Sequence, residues 1–560
     1  MFIPTTKQEL EKAGWNELDV ILVSGDAYID SPFTGVAVIG QVLMAKGYKV
    51  GIIAQPAMDS AVDITRLGAP RLFWGVSSGS VDSMISNFTP VKKRRKSDDF
   101  TPGGINNKRP DRAVISYSNL IRQYFKNTKP IVIGGIEASL RRVAHFDYQT
   151  ESIRKSILFD AKADYLVYGM GEKAVVEIAQ ALEKNNSAEN VRGVCYISKE
   201  IKQGYLELPS FEETQKDKNK FEEMFKIFYK NNEPHTAKGL FQKQDTRYLI
   251  QNPPALYPST AELDYYYSLP YERDAAPFYK SMGEIKALET IRFSITTHRG
   301  CYGECNFCAI TVHQGREIIN RSEDSIVKEG EKIATLPGFK GYIMDVGGPT
   351  ANMYGTACGL KEKKGVCINK KCLSGKVCES LKVTHKRQTE LLRRLRKIKG
   401  VKKVFVASGI RYDLIFQDEE FGMEYMEEIT EHHVSGQLKI APEHTEGKVL
   451  SLMSKPGSEY LVKFKSEFDR LSRKVGKKQF LTYYFIAAHP GCSDTEMLKM
   501  KTFVKTVLKI SPEQVQIFTP SPSTYSTLMY YTEKNPFDGS HIFVEKETGK
   551  KEKQKKIITD

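Results

Sequence analysis

Two trains of short apolar runs, with helical patterns between them, constrain this chain more than any other feature. The first train occupies residues 1–200, with runs at 19–24, 48–53, 71–76, 131–135, 165–168 and 194–197. The second has runs at 291–297, 340–346, 403–408, 436–441, 479–487 and 514–519. Short runs apolar on both faces, separated by helices, are the pattern of buried parallel strands. The fold class is therefore α/β. The first train predicts a doubly wound parallel sheet, with a helix at 35–46 stopped by Gly47. The second predicts six βα units in series, a partial (β/α)6 barrel, with helices at 322–336, 389–398 and 495–508.

A chain of 560 residues is too long for one core. The expected divisions are an N-terminal domain at 1–200, an irregular strap at 201–285, a barrel at 286–530 and a basic, disordered tail at 531–560. A cysteine-rich insertion interrupts the barrel at 350–385. Residues 91–112 read as a long loop. No stretch approaches the ~18 consecutive apolar residues of a membrane span. The N-terminus lacks the basic-then-apolar pattern of a signal peptide. The expected compartment is the cytoplasm, with no membrane partner. The net charge of +15 is concentrated in the run Lys92-Lys-Arg-Arg-Lys96 and in residues 546–556. Such runs are solvated surface or a footprint for a polyanion.

Seven of the nine cysteines lie between residues 301 and 378, which in a long chain of this kind points to metal or redox chemistry rather than disulfides. Cys301, Cys305 and Cys308, spaced C-x3-C-x2-C, follow the first barrel strand, and barrels of this kind gather function at strand C-termini. Zinc sites usually take four ligands arriving in pairs. Three thiolates on a 4Fe–4S cluster instead leave one iron open for a small molecule. Gly300 and Gly303 let the backbone fold tightly round such a group, and His298 and His313 are read as packing. Other strand ends are polar or turn-like: Gly347-Gly348, Ser408 with Arg411, Glu443-His444 and His489-Pro490. Ser408 and Arg411 are the better candidates for small-molecule contacts. Cys358, Cys367, Cys372 and Cys378 form a second set. They are expected to hold zinc or another cluster that staples a segment poor in apolar residues.

The cysteine spacing, Phe307 before its last cysteine and its place after the first strand resemble radical S-adenosylmethionine (radical-SAM) enzymes. The resemblance implies that Cys301, Cys305 and Cys308 ligate a 4Fe–4S cluster whose open iron chelates S-adenosylmethionine. One electron then cleaves the cosubstrate to a 5′-deoxyadenosyl radical. It also implies that the Gly347-Gly348 turn meets the cosubstrate's amino group, although Pro349 and Thr350 stand where the superfamily often has an acidic residue. Gly25-Asp-Ala-Tyr28, Thr101-Pro-Gly-Gly104, Asp345-Val-Gly-Gly-Pro-Thr-Ala-Asn352 and Ala407-Ser-Gly-Ile-Arg-Tyr-Asp413 together resemble the YgiQ family.

The N-terminal sheet resembles the cobalamin-binding domains fused to such barrels. The family's Asp-x-His-x-x-Gly is absent, however: the chain reads Asp26-Ala-Tyr-Ile-Asp-Ser-Pro32, and its first histidine is His145. Cobalamin is therefore disfavoured. Expected partners are a reductant such as flavodoxin or ferredoxin and a substrate that the sequence leaves open, RNA among the candidates. The rival reading is a basic, metal-stabilised RNA- or ribosome-binding protein without catalysis.

Overall fold

The first six apolar runs form β1 (Val20–Ser24), β2 (Val50–Ala54), β3 (Phe73–Ser77), β4 (Ile131–Gly134), β5 (Tyr165–Val167) and β6 (Val194–Ser198). Strands β2-β1-β3-β4-β5 lie side by side and all parallel. The order reverses between β1 and β3, where doubly wound sheets place their ligand crevice. The computed structural model describes residues 1–367 and 371–560. It divides into one unit of Met1–Tyr257 with Tyr265–Arg292 and another of Pro258–Asp264 with Phe293–Asp560.

The expected strap at 201–285 is corrected. Strands β7 (Leu206–Leu208), β8 (Leu240–Gln244) and β9 (Arg247–Gln251) extend the N-terminal sheet in the order β7-β8-β9-β6-β5. β8 and β9 form a hairpin with Gln244 opposite Arg247. Asp245 takes the positive φ of 55° that a two-residue turn requires. Helix Lys218–Lys230 buries Phe221, Met224, Phe225 and Phe228, one stripe at helical spacing. Residues 274–279 belong to the same unit: Asp274–Ala275 pairs with Ile29–Asp30, and the Tyr279 hydroxyl accepts the Ala54 N–H at 2.7 Å.

The second unit begins at Phe293 rather than at residue 286. It also takes in Pro258–Asp264, where the Asp264 carboxylate accepts the Ser322 N–H at 3.0 Å. Its strands are β10 (Ser294–Thr296), β11 (Tyr342–Ile343 and Asp345–Gly347), β12 (Lys403–Val404), β13 (Gln437–Glu443), β14 (Phe480–Ala487) and β15 (Gln514–Ile517). They follow one another in parallel, with the Ile410–Ile440 bridge joining the third unit to the fourth. Ile295, Val346, Val406, Ile440, Phe485 and Val515 fill the interior, packed among residues such as Leu391, Leu395, Phe464 and Phe468.

The expected disordered tail is also corrected. Helix Thr548–Thr559 packs on helix Asp494–Phe503. Ile558 joins the barrel core, Gln554 Oε1 accepts the Ala488 N–H at 3.0 Å and Lys551 donates to the Tyr530 hydroxyl at 3.0 Å. A composition dominated by lysine concealed the few residues that anchor it. Among the described residues no helix is long and apolar enough to cross a membrane.

Candidate metal centre at the barrel strand ends

The chain leaves β10 through Gly300, at φ 80°, where a Cβ would lie 1.8 Å from the Glu317 carbonyl oxygen. Only glycine fits, and the loop folds back on itself. The Gly303 N–H points at Cys301 Sγ at 3.3 Å, and the Cys308 N–H donates to the Cys305 carbonyl at 3.0 Å. A Cβ on Gly303 would stand 3.2 Å from Cys301 Sγ, 3.6 Å from Cys305 Sγ and 3.3 Å from Arg411 Nη1. Two sulfurs and a guanidinium nitrogen thus gather round one bare backbone position. Burial and then the Cys305 thiol raise the pKa of Cys308 to about 12, and burial likewise raises that of Cys301. Burial thus disfavours the thiolate at Cys301 and Cys308, and at Cys301 the Arg411 guanidinium works the other way.

Side chains invisible to motif reasoning hold this loop. Glu304, buried and at φ 43°, accepts from Arg316 at 3.1 Å and pairs with Lys361 at 3.5 Å. Asn306 donates through Nδ2 to the Leu452 carbonyl at 2.8 Å, and Lys371 donates to the Glu304 carbonyl at 3.1 Å. The only signal was two polar residues placed between the cysteines.

At the end of β11, Gly347 and Gly348 meet a packing demand. A Cβ at Gly347 would approach Ser408 to 3.3 Å, and one at Gly348 would enter the His298 ring at 2.5 Å. His298 is thus the packing residue expected. Asp345 accepts the Ala407 and Ser408 N–H groups at 2.7 and 3.0 Å and also the Ser408 hydroxyl. Ser408 therefore clamps β11 to the third unit. Arg411 is 6% exposed; Nε donates to Asp413 at 2.9 Å, Nη2 to the Leu373 carbonyl at 3.0 Å, and Nη1 has no partner. Glu443 ends β13 at a register shift, with φ 66°. Burial raises its carboxyl to about 7 although Lys455 lies 3.9 Å away. Bulges and strained residues of this kind cluster at functional sites. His444 and His489 face inward instead, His444 Nε2 3.4 Å from Cys492 Sγ and His489 Nε2 2.7 Å from Ser526 Oγ.

The second cysteine set, expected to hold zinc or another cluster, forms no single-ion site among the described residues. Among the described residues no three His, Cys, Asp or Glu side chains converge on one ion. Nor do Cys301, Cys305 and Cys308 form such a group; Cys301 Sγ and Cys305 Sγ both lie beside the Gly303 position. Cys358 and Cys372 are instead buried in an apolar cluster with Tyr302, Met353, Leu373 and Leu381. Cys367 and Cys378 are half-buried. The insertion is ordered by other means: the Ala357–Lys382 bridge, Lys361 and Lys371 on the cysteine loop, and the Leu373 carbonyl on Arg411. Residues 368–370 of the expected insertion lie outside the described residues.

At the N-terminal switch point the crevice is filled. Gly25 abuts the Ser78 carbonyl, and a Cβ there would come within 2.1 Å of it. Arg109, fully buried, donates to Asp26 at 2.7 Å and to Asp98 at 3.0 Å, and Gln55 Nε2 joins the Gly25 carbonyl to Thr101 Oγ1. The expected long loop at 91–112 is thus an ordered plug. His145 lines a small separate pocket with Arg112, Arg141 and Asp147. Burial lowers its pKa to about 3, and Nδ1 is engaged by the Val143 carbonyl. The switch point offers no imidazole, since no histidine precedes His145 in the chain.

A doubly wound domain joined to a six-unit barrel, with three thiols gathered at the first strand's end, defines a radical-SAM protein. The sequence matches the Radical SAM N-terminal family over residues 2–294. It is 57% identical over 560 residues to a UPF0313 protein of Fusobacterium nucleatum, covering 100% of this chain and 99% of that one. A UPF0313 protein of Thermotoga petrophila is 50% identical over 561 residues, with 100% and 98% covered. The chain belongs to the UPF0313 family of radical-SAM proteins, as its resemblance to YgiQ implied.

Two solved structures share the fold. One is TsrM of Kitasatospora setae, a radical S-adenosylmethionine methyltransferase with cobalamin and a [4Fe-4S] cluster bound; it has a TM-score of 0.52 at 15% identity over 90% of this chain and 76% of its own. The other is OxsB, a cobalamin-dependent S-adenosylmethionine radical enzyme, with a TM-score of 0.51 at 12% identity over 92% and 55%.

Proposed function

We propose that the protein is a radical-SAM enzyme in which Cys301, Cys305 and Cys308 hold a 4Fe–4S cluster. The carrying observation is the gathering of Cys301 Sγ and Cys305 Sγ round Gly303, with Cys308 buried near enough to feel both thiols. When bound, the cluster supplies one electron for reductive cleavage of S-adenosylmethionine to methionine and a 5′-deoxyadenosyl radical. The chain's residues supply the rest. The Gly347-Gly348 turn presents backbone to the cosubstrate's amino group, and Thr350, with Oγ1 3.4 Å from Cys301 Sγ, offers a hydroxyl beside it. Glu443, protonated up to neutral pH, faces the same strand ends without repelling the electron-rich thiolates. Tyr302 and Met353 pack beside Cys301 and keep solvent from the pocket. A flavodoxin or ferredoxin is the reductant in this reading.

Cobalamin has no part in the proposal, because the chain lacks the Asp-x-His-x-x-Gly motif and carries no histidine before His145. The RNA-binding rival rested on the basic run, and that run is engaged: Lys92 pairs with Glu151, Arg94 with Asp111, and Arg95 donates to the Ile85 and Phe88 carbonyls. Anaerobically reconstituted protein given dithionite and S-adenosylmethionine should release 5′-deoxyadenosine, detected by mass spectrometry. Fully loaded protein that yields none, with or without cell extract, contradicts the proposal.

A further inference from the structure

Arg411 is buried, and one of its three nitrogens is left over. Asp413 occupies Nε, at 2.9 and 3.2 Å from its two oxygens, and the Leu373 carbonyl occupies Nη2. Among the described residues Nη1 has no partner. A buried N–H that makes no hydrogen bond costs about 1–3 kcal/mol, and what sets this one apart from others such as Arg109 Nε is its place beside two cysteine sulfurs. The position of Nη1 names the recipient. It lies within 3.3 Å of the point from which Cys301 Sγ is 3.2 Å and Cys305 Sγ 3.6 Å.

The arginine is also aimed with care. Its backbone N–H donates to Asn352 Oδ1 at 2.8 Å, and Asn352 Nδ2 returns a bond to its carbonyl at 2.9 Å. Asn352 Nδ2 also lies 3.1 Å from His385 Nε2, and His385 Nδ1 lies 2.8 Å from Asp418. This buried relay ends at the backbone of Arg411 and fixes the point from which its side chain extends. Arginine suits such a post, since its planar fork serves several acceptors at once and stays charged.

We infer that Arg411 is a positioning residue for the cluster, directing Nη1–H at the ligand sulfurs of Cys301 and Cys305 and stabilising the reduced cluster over the oxidised one. This rests on the function proposed above. Reduction adds one negative charge to the cluster. A fixed cation and an N–H donor beside its sulfurs favour the more negative state, so they raise the reduction potential. Asp413 moderates the effect as the counter-charge. The two residues make opposite contributions to one quantity, which a purely structural role would not do.

The test is an anaerobic redox titration of reconstituted protein followed by electron paramagnetic resonance, with iron counted per chain. R411Q should keep its iron and need a stronger reductant. The ratio of oxidised to reduced cluster at a fixed potential should rise about tenfold, which is about 59 mV for a one-electron couple. R411K, which keeps the charge and loses the fork, should shift less. D413N, which frees the guanidinium from its counter-charge, should shift the midpoint the other way. R411Q with full iron and an unchanged midpoint overturns the inference, as does an unchanged midpoint with weakened S-adenosylmethionine binding, which would assign the arginine to the cosubstrate. If R411Q does not load, D413N decides: a positive shift upholds the inference, and none or a negative one overturns it. Wild-type protein that takes up no cluster would sink the functional reading and this inference together, and that outcome is distinct from a loaded cluster whose midpoint does not respond.

Discussion

The N-terminal sheet and the barrel both bring polar side chains to the C-terminal ends of parallel strands, and they treat them in opposite ways. At the sheet's switch point one guanidinium nitrogen answers both carboxylates, Arg109 Nη2 joining Asp26 and Asp98 beneath residues 91–112, while Arg109 Nε and Nη1 have no partner among the described residues. At the barrel's strand ends the unanswered groups are reactive ones: burial raises the thiols of Cys301 and Cys308, Arg411 Nη1 stands beside the sulfurs of Cys301 and Cys305 with no partner among the described residues, and Glu443 is strained and titrates near neutrality. Both folds are of the kind that places ligands at strand ends. The difference shows that architecture nominates a location, while the state of its polar groups decides whether it is a site.

The comparison breaks most readily at the thiols. Cys301→Ala, Cys305→Ala or Cys308→Ala should each abolish 5′-deoxyadenosine release and empty the iron site, read by iron analysis after reconstitution. The sealed end should answer in stability instead. Arg109→Met strands two buried carboxylates and should cost roughly 3–5 kcal/mol in denaturant unfolding, and a neutral result would mean that the plug is not a closed ion network.

A smaller effect belongs to pH. Burial raises the Glu443 carboxyl to about 7, so between about 4.5 and about 7 the unfolded chain holds fewer protons than the folded one. Stability from this group falls as pH rises through that window, by at most about 3 kcal/mol. Glu443→Gln should flatten the slope in melts of metal-free protein, and an unaltered slope would place the carboxyl in water.

Gly303→Ala puts a methyl among two sulfurs and Arg411. Overpacking of about 1–3 kcal/mol should appear as weaker iron loading with the fold intact by circular dichroism. The smallest expected change is Cys372→Ala, a packing loss of about 1 kcal/mol with the iron count unaltered. A lowered count there would restore a metal to the second cysteine set.

Much of this was legible beforehand, for identifiable reasons. Strands buried on both faces announce themselves as apolar runs, so β1–β6 and β10–β15 fell where the pattern put them. The three-cysteine loop was legible because its spacing is local and Gly300 and Gly303 are sterically required. The β8–β9 hairpin was missed because Asp245-Thr246 is a weak turn signal and its partner is β6, far back in the chain. The C-terminal helix was missed because three buried side chains, Lys551, Gln554 and Ile558, outweigh a lysine-rich composition. The insertion looked in need of a metal staple because its cations, Lys361 and Lys371, read as surface charge, yet they reach carbonyls and Glu304 on the cysteine loop. The direction of Arg411 depends on Asn352, His385 and Asp418, a relay that no local motif encodes.

The central claim is that the three-thiol loop holds a cluster with one iron open to S-adenosylmethionine. Low-temperature electron paramagnetic resonance of reduced, reconstituted protein, before and after adding S-adenosylmethionine, tests it most directly. The account predicts about four irons per chain, a spin-half signal that changes on adding the cosubstrate, and neither in Cys305→Ala. A colourless protein with stoichiometric zinc, or a cluster signal indifferent to S-adenosylmethionine, would contradict it.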